Sequence, residues 1–343
     1  MKFLYIILFA LLISKNLFSN NIFETREYEL NFSSNNINLI KENKINEIKT
    51  KSFQNLIKKI LSKKNHKKIK LNDINFINSF ILNYKINNEK IINNNYYAKI
   101  KVNFNEKLII NYLIKNKIEF INKIPDKFLI IIKEQNDLKT YLLTNENKHY
   151  QYLNNSTNES YLMYFRIPNL DFNDRFIFNE YHFNNDSFEQ NNLLNLKYET
   201  EYQILINLIN KKNIIIYDIY LFHNNLKYFV AKIPVKKLNY EKIFDNILFK
   251  TIDKWKEINQ INTYLKNELE CKININNINE LRYVRNLLKS NILIQNLTLK
   301  SIELNNNIYS ILFVGDIENF KNSLKLTRLN LNYYNNLCNI ELV

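Results

Sequence analysis

The sequence predicts an α+β protein: a signal peptide followed by about three small αβ modules with mainly antiparallel sheets, the last of them ferredoxin-like. Three observations carry this. In 343 residues, 46% of side chains are apolar and 14% aromatic, enough to bury cores and to build two or three domains. Runs that alternate apolar and polar residues are interleaved with runs at helical spacing. Residues 269–343 follow the order βαββαβ, the split-βαβ plan.

Residues 1–19, MKFLYIILFALLISKNLFS, carry one early charge at Lys2, an apolar run from Phe3 to Ile13 and a polar tail. Eleven apolar residues fall short of the roughly 20 that span a bilayer, and the pattern fits a cleavable secretory signal. Ser19, with Leu17 two before it, is the preferred cleavage point, and the alternative is an uncleaved anchor.

Residues 22–133 form the N-terminal αβ domain. REYELNF is strand-like, and a long helix follows with Phe53, Leu56, Ile57, Ile60 and Leu61 on one face. Phe80, Leu82, Tyr84 and Ile86 alternate, as do Tyr96, Ala98, Ile100, Val102 and Phe104 after an Asn-rich turn, which predicts a hairpin with one buried face. A short helix carries Leu108, Tyr112 and Leu113, and KFLIIIK (127–133), punctuated by Pro125, is a continuous apolar strand.

Residues 134–268 form the middle αβ domain. The polar segment from Thr140 to Asn158 reads as an extended loop, and Tyr202, Leu205, Leu208 and Ile209 as a helix. Two strands, NIIIYDIYLF and LKYFVAKI, are joined by His223-Asn224-Asn225, where Asn supplies the left-handed conformation. An amphipathic helix then runs from about Tyr240 to Glu268, with Ile243, Ile247, Ile252, Trp255 and Ile258 on one side.

In residues 269–343, Cys271, Ile273 and Ile275 alternate, Asn277 caps a helix bearing Leu281, Val284, Leu287 and Leu288, and Ile292 to Leu299 give a strand with a slip in its alternation. An Asn turn leads into IYSILFV, Asp316 opens a helix with Phe320 and Leu324, and LNLNYYNNLCNIELV closes. In a βαββαβ sheet the first and last strands are antiparallel neighbours. By parity Cys271 shares its side with Ile273 and Cys338 with Ile340, so Cys271 and Cys338 are the disulfide candidate. The alternative is a pair of buried free thiols packing as small apolar groups.

The formal charge is +15, but 42 Lys stand against 6 Arg, with 3 Ala and 1 Gly, a bias that AT-rich coding imposes. Much of the charge is therefore composition. Its densest run is IKKILSKKNHKKIK, and Lys58, Lys59, Lys63, Lys64, Lys67, Lys68 and Lys70 are the basic surface candidate. Lysines at a helix C-terminus complement its dipole, which makes a solvated helix end the plain reading and contact with anionic lipid the functional one. No aromatic residue interleaves with them, which argues against a nucleic-acid partner.

Asp171 and Asp174, with Glu180 and His182 nearby, offer metal-ligand types. The plainer reading is that Pro168 ends a strand and the two aspartates cap the adjoining turn or helix. A single glycine excludes glycine-rich phosphate loops, and no nucleophile elbow or Cys-x-x-Cys pair occurs. No catalytic residue, no cofactor and no metal site is assigned. His66, His149, His182 and His223 lie far apart and read as surface or turn residues, and Trp255 as core.

The stretch FILNYKINNEKIINNNYYAKIKVNFNEKLIINYL with the helix before it, the central IPNLDFNDRF and the terminal VGDIENFKNSL together resemble the exported bacterial proteins of domain of unknown function 2066. The resemblance covers the chain from about residue 25 onward. It implies a periplasmic, envelope-associated role and carries no established activity or site residue. The expectation is a non-catalytic envelope protein that binds a protein partner. The alternatives are peripheral binding to an anionic membrane surface through Lys58–Lys70 and a metal-dependent enzyme at Asp171/Asp174. If the leader is cleaved, the mature chain begins near Asn20 and is recovered with the periplasmic fraction. Cytoplasmic recovery with Met1 intact contradicts that.

Overall fold

A computed structural model describes residues 22–136, 139–211, 214–274, 277–303, 306–334 and 337–342. The leader 1–19 and Ile275 lie outside the described residues. The chain is an α+β protein with three sheets in two compact units, residues 124–258 being inserted into a unit made of 1–123 and 259–343. The boundaries therefore fall at 123/124 and 258/259, not at 133/134 and 268/269 as the sequence predicts.

In the discontinuous unit, β1 (Glu27–Ser33) leads to α1 (Ile37–Ile60), which ends before two short helices, α2 (Lys63–His66) and α3 (Ile74–Asn78). Next come β2 (Ile81–Ile92), β3 (Asn95–Phe104) and α4 (Glu106–Lys115). The sheet order is β1-β3-β2, all antiparallel. Asn36 caps α1 by accepting from Leu39 N–H, and α1 buries Ile45, Ile48, Phe53, Leu56, Ile57 and Ile60. Asn93 and Asn94 both take positive φ at the β2–β3 turn, the conformation that two-residue hairpins demand.

The inserted unit contains β4 (Phe128–Asn136), β5 (Lys139–Leu142), α5 (Lys148–Asn155), α6 (Glu159–Tyr164) and β6 (Phe165–Arg166). The helices α7 (Phe172–Ile177), α8 (Glu180–Asn184) and α9 (Phe188–Tyr198) precede β7 (Tyr202–Lys211), β8 (Ile214–His223), β9 (Leu226–Val235) and α10 (Tyr240–Asn259). The sheet order is β5-β4-β7-β8-β9, with β6 against β4. β4 pairs in parallel with β7, and Phe128 to Ile132 are all fully buried. A strand buried on both faces belongs at a sheet's centre, which is why the apolar run falls in this unit and not in the N-terminal one.

The same effect overturns the helix expected at Tyr202–Ile209. β7 is covered on both sides, so its apolar residues are nearly continuous and a helical spacing can be picked out of them. Thr140–Asn158 is not a loop: β5 and α5 lie in it, because tyrosine serves there as a core residue. Tyr150 is fully buried, its hydroxyl accepting from Ile132 N–H at 2.9 Å. α10 stops at Asn259, and its buried face is Ile243, Phe244, Ile247, Leu248, Thr251 and Trp255.

Chain 259–343 returns to the first unit through β10 (Lys266–Asn274), α11 (Ile278–Ser290), β11 (Ile294–Glu303), β12 (Asn306–Val314), α12 (Ile317–Lys325), β13 (Leu329–Tyr334) and β14 (Leu337–Leu342). The order is β11-β12-β10-β14-β13. The closing stretch is two strands, not one, and β14 inserts beside β10 and runs parallel to it. This is a βαββαββ variant of the expected plan, and it corrects the antiparallel arrangement of the outer strands. Cys271 lies within β10. It is the register partner of Cys338, and the two sulfurs are bonded with Cα atoms 4.4 Å apart. Cys271, Ile273, Cys338 and Ile340 share one buried layer with Val284, Leu288, Phe320 and Leu324.

The bridge spans 67 residues of chain and sits at the sheet's centre. Replacing both cysteines by alanine is expected to lower stability by about 4 kcal/mol through the freed unfolded chain. Chemical denaturation of oxidised wild type against the double variant measures it, and equal midpoints contradict the expectation.

Candidate functional site

The acidic stretch is built around a buried carboxylate. Asp171 is the N-cap of α7 and its Oδ1 accepts from Asp174 N–H at 2.8 Å. Asp174 is fully buried, and its Oδ2 accepts from Leu170 N–H at 2.8 Å. The Tyr198 hydroxyl lies 2.7 Å from both Asp174 oxygens, and Lys197 Nζ reaches Oδ1 at 2.6 Å. Lys197 also contacts the two Asp171 oxygens at 3.2 and 3.3 Å, so the pair of acids ties α7 to the end of α9. The Asp174 N–H, then Lys197, hold the Asp171 carboxyl below its ordinary range. Desolvation would lower Lys197, but its hydrogen bonds to Asp174 and Asp171 prevail and hold the ammonium above its ordinary range.

Glu180 and His182 do not converge on this pair. Glu180 faces Lys133 at 3.3 Å, and His182 closes a capping box with Asn179. Among the described residues no group of three His, Cys, Asp or Glu side chains is placed to hold a metal ion.

His149, expected at the surface, is buried. Its Nδ1 lies 3.2 Å from Glu134 and its Nε2 2.8 Å from the Tyr217 hydroxyl, beneath Tyr240 and Phe244. Burial, then the nearby Tyr240 and Glu134, push the Tyr217 phenol up. A carboxylate–imidazole–phenol chain has acid–base character, but both ring nitrogens are committed and His149 and Tyr217 are closed to solutes. Its polar neighbours are far apart in sequence, so no local pattern marks it.

The lysine run wraps the C-terminal end of α1. Lys58, Lys59, Lys63, Lys64, Lys67, Lys68 and Lys70 are all exposed, while Ile60, Leu61, Asn65 and Ile69 beneath them are buried. Asn65 anchors the run by donating to Glu119 O at 3.2 Å. Lys59 donates to Glu24 O, and the partial desolvation of its ammonium draws it below the ordinary range although the side chain as a whole is exposed. Lys64 stands 3.8 Å from Glu119.

The second surface is β2, and here the expected buried face is absent. On β3, Ile100 and Val102 are fully buried, yet their partners across the ladder, Ile86 and Tyr84, are half-buried and 43% exposed. α1 meets β2 through long polar side chains, Lys41 at Glu89 and Lys49 over the Tyr84 ring, which leave the apolar residues of the strand unburied. Leu82 at 64%, Ile91 at 60% and Ile92 at 54% are more exposed still. None of the twelve residues of β2 is buried, and its outer edge has no partner strand among the described residues. Alternation alone cannot tell a strand that is covered from one that only has the pattern.

Comparison with protein-family models, with curated proteins and with solved structures found no match to this chain. Among the described residues no helix is long and apolar enough to cross a membrane.

Asp174→Asn leaves the Lys197 ammonium facing an uncharged group in a buried network, and a loss of about 3 kcal/mol is expected. Asp171→Ala costs less. Because the folded-state pKa of Asp171 is depressed, its contribution is full above the ordinary carboxylate range and is lost as pH falls through the depressed value. Denaturation of wild type and Asp171→Ala across pH should therefore show curves that converge in acid. A difference independent of pH contradicts the assignment.

Proposed function

We propose that this chain is a non-catalytic exported protein of the bacterial envelope, and that it binds another polypeptide by strand addition along β2. The observation that carries the reading is the edge strand itself: twelve residues without a buried side chain, with Leu82, Tyr84, Ile91 and Ile92 presented to solvent. An unpaired edge offers a row of N–H and C=O groups, which an extended segment can satisfy while its side chains meet the exposed apolar ones. Register irregularities between Ile81 and Asn83 and between Asn87 and Lys90 leave Asn83–Asn87 as the regular stretch for such pairing. Export is supported by the leader pattern and by the Cys271–Cys338 bridge, since structural disulfides persist in oxidising compartments.

A second reading, association with anionic membrane surface, is favoured by the exposure of all seven lysines from Lys58 to Lys70. It adds to the first without competing for the same residues.

The test is a photo-crosslinking amino acid placed in cells at Leu82 or Tyr84, with exposed Leu226 of the inserted unit as control. The expected result is a discrete adduct from the β2 positions that disappears when Ile91 is changed to Lys. No adduct, or the same adducts from Leu226, contradicts strand addition at β2.

A further inference from the structure

Between α4 and the start of the C-terminal chain, within the discontinuous unit, lies a cleft of about 730 Å³ whose walls carry four lysines: Lys107, Lys115, Lys117 and Lys266. Lys107 and Lys115 lie on one face of α4, eight residues apart. Lys117 is placed by the helix end. It takes the left-handed conformation at φ 55°, usually a glycine position, and is held there by Lys117 N–H to Ile114 O and Ile118 N–H to Leu113 O. Its ammonium sits 5.3 Å over the ring of Tyr264, which is itself largely exposed.

The opposite wall is fixed. Ile261 N–H donates to Phe120 O at 2.7 Å, and Gly315 N–H to Leu265 O at 2.9 Å, pinning residues 261–265 at both ends. Gly315, the chain's single glycine, has φ +95°, and a Cβ there would lie 3.0 Å from Ile261 Cγ2.

What this cleft adds to the charge is a concave lining of one sign. No acidic residue lines it, and none of its four lysines is in an ion pair with a carboxylate among the described residues. Like charges gathered in a concavity without counter-charges repel each other and focus a positive potential into it.

We infer that this cleft is a binding site for a multiply charged, phosphate-bearing ligand, held by Lys107, Lys115, Lys117 and Lys266, with Tyr264 giving an apolar face. Ammonium groups bind phosphate oxygens as mobile point charges, and several of them together suit a polyanion. The volume falls within the range of small-ligand sites. Sequence reasoning missed it because its lysines come from two stretches 149 residues apart at Lys117 and Lys266, neither of which is a run.

The phosphate can come from a soluble polyphosphorylated compound or from lipid headgroups, and two probes separate them. Calorimetric titration of the mature chain with sodium tripolyphosphate is expected to give saturable one-to-one binding. Lys107→Gln/Lys115→Gln and Lys266→Gln should each weaken it by about tenfold or more. Lys63→Gln/Lys67→Gln/Lys68→Gln, in the basic run, should leave it unchanged. Sedimentation with phosphatidylglycerol vesicles, with every variant built on the Lys63→Gln/Lys67→Gln/Lys68→Gln chain so that the basic run does not supply the binding, then assigns the source. Loss of vesicle binding in the cleft variants points to a headgroup, and retention with loss of tripolyphosphate points to a soluble phosphate. Unaltered thermal midpoints in the variants exclude unfolding as the cause. The inference is overturned if neither probe binds the folded chain, or if the cleft variants bind both probes as wild type does.

Discussion

The structure depends on one closure: the chain that leaves the first unit near Lys123 must come back, after the inserted residues 124–258, to where it left. It does so at Phe120 and Ile261, both fully buried, where Ile261 N–H meets Phe120 O at 2.7 Å. On the N-terminal side Ile121 N–H donates to Ile60 O at the end of α1. On the C-terminal side Leu265 O accepts from Gly315 N–H, at the one position where a left-handed residue other than glycine would strike Ile261. Among the described residues eleven others, including Asn93, Asn94, Asn224 and Asn225, take positive φ without glycine. What distinguishes residue 315 is therefore the lack of space as well as the backbone angle.

This closure makes two modules share one compact unit, and that unit carries the lysine run, the β2 edge and the lysine-lined cleft. The end of α1 turns the lysine run outward over a buried floor. The edge strand β2 stays unburied because the apolar face of α1 packs toward β3, as Phe53 does on Phe104, and α1 meets β2 through the long side chains of Lys41 and Lys49. The wall formed by residues 261–265 brings Tyr264 and Lys266 opposite α4. The inserted unit has instead turned its polar chemistry inward: Asp174 with Lys197 and Tyr198, and His149 with Glu134 and Tyr217, are networks in which protein groups satisfy each other.

Much of this was legible in the sequence, and the failures have identifiable causes. Period-two parity placed Cys271 and Cys338 on the same buried layer although the predicted strand direction was wrong, because which face a residue occupies does not depend on whether its neighbour runs parallel. The Asn-Asn turns were legible from local chemistry alone. Tyr202–Ile209 was misread because a strand covered on both faces loses its alternation. The middle boundary was misplaced because an apolar run such as Phe128–Ile132 does not say which sheet will receive it. For the sites, the lysine run was visible as a run, whereas the cleft lysines and the His149 network are assembled from separate stretches that only the fold brings together. β2 shows the opposite failure, a pattern that called for a cover which the helix does not supply.

The most direct test of the closure is amide hydrogen exchange on Gly315→Val. The side chain would collide with Ile261 in a backbone conformation that valine resists, so the account expects protection to fall together in β10, β12, α1 and β3, while β7 and β8 of the inserted unit keep theirs. Loss confined to residues 259–343, with α1 and β3 protected as in wild type, would contradict the claim that the two modules form one cooperative unit.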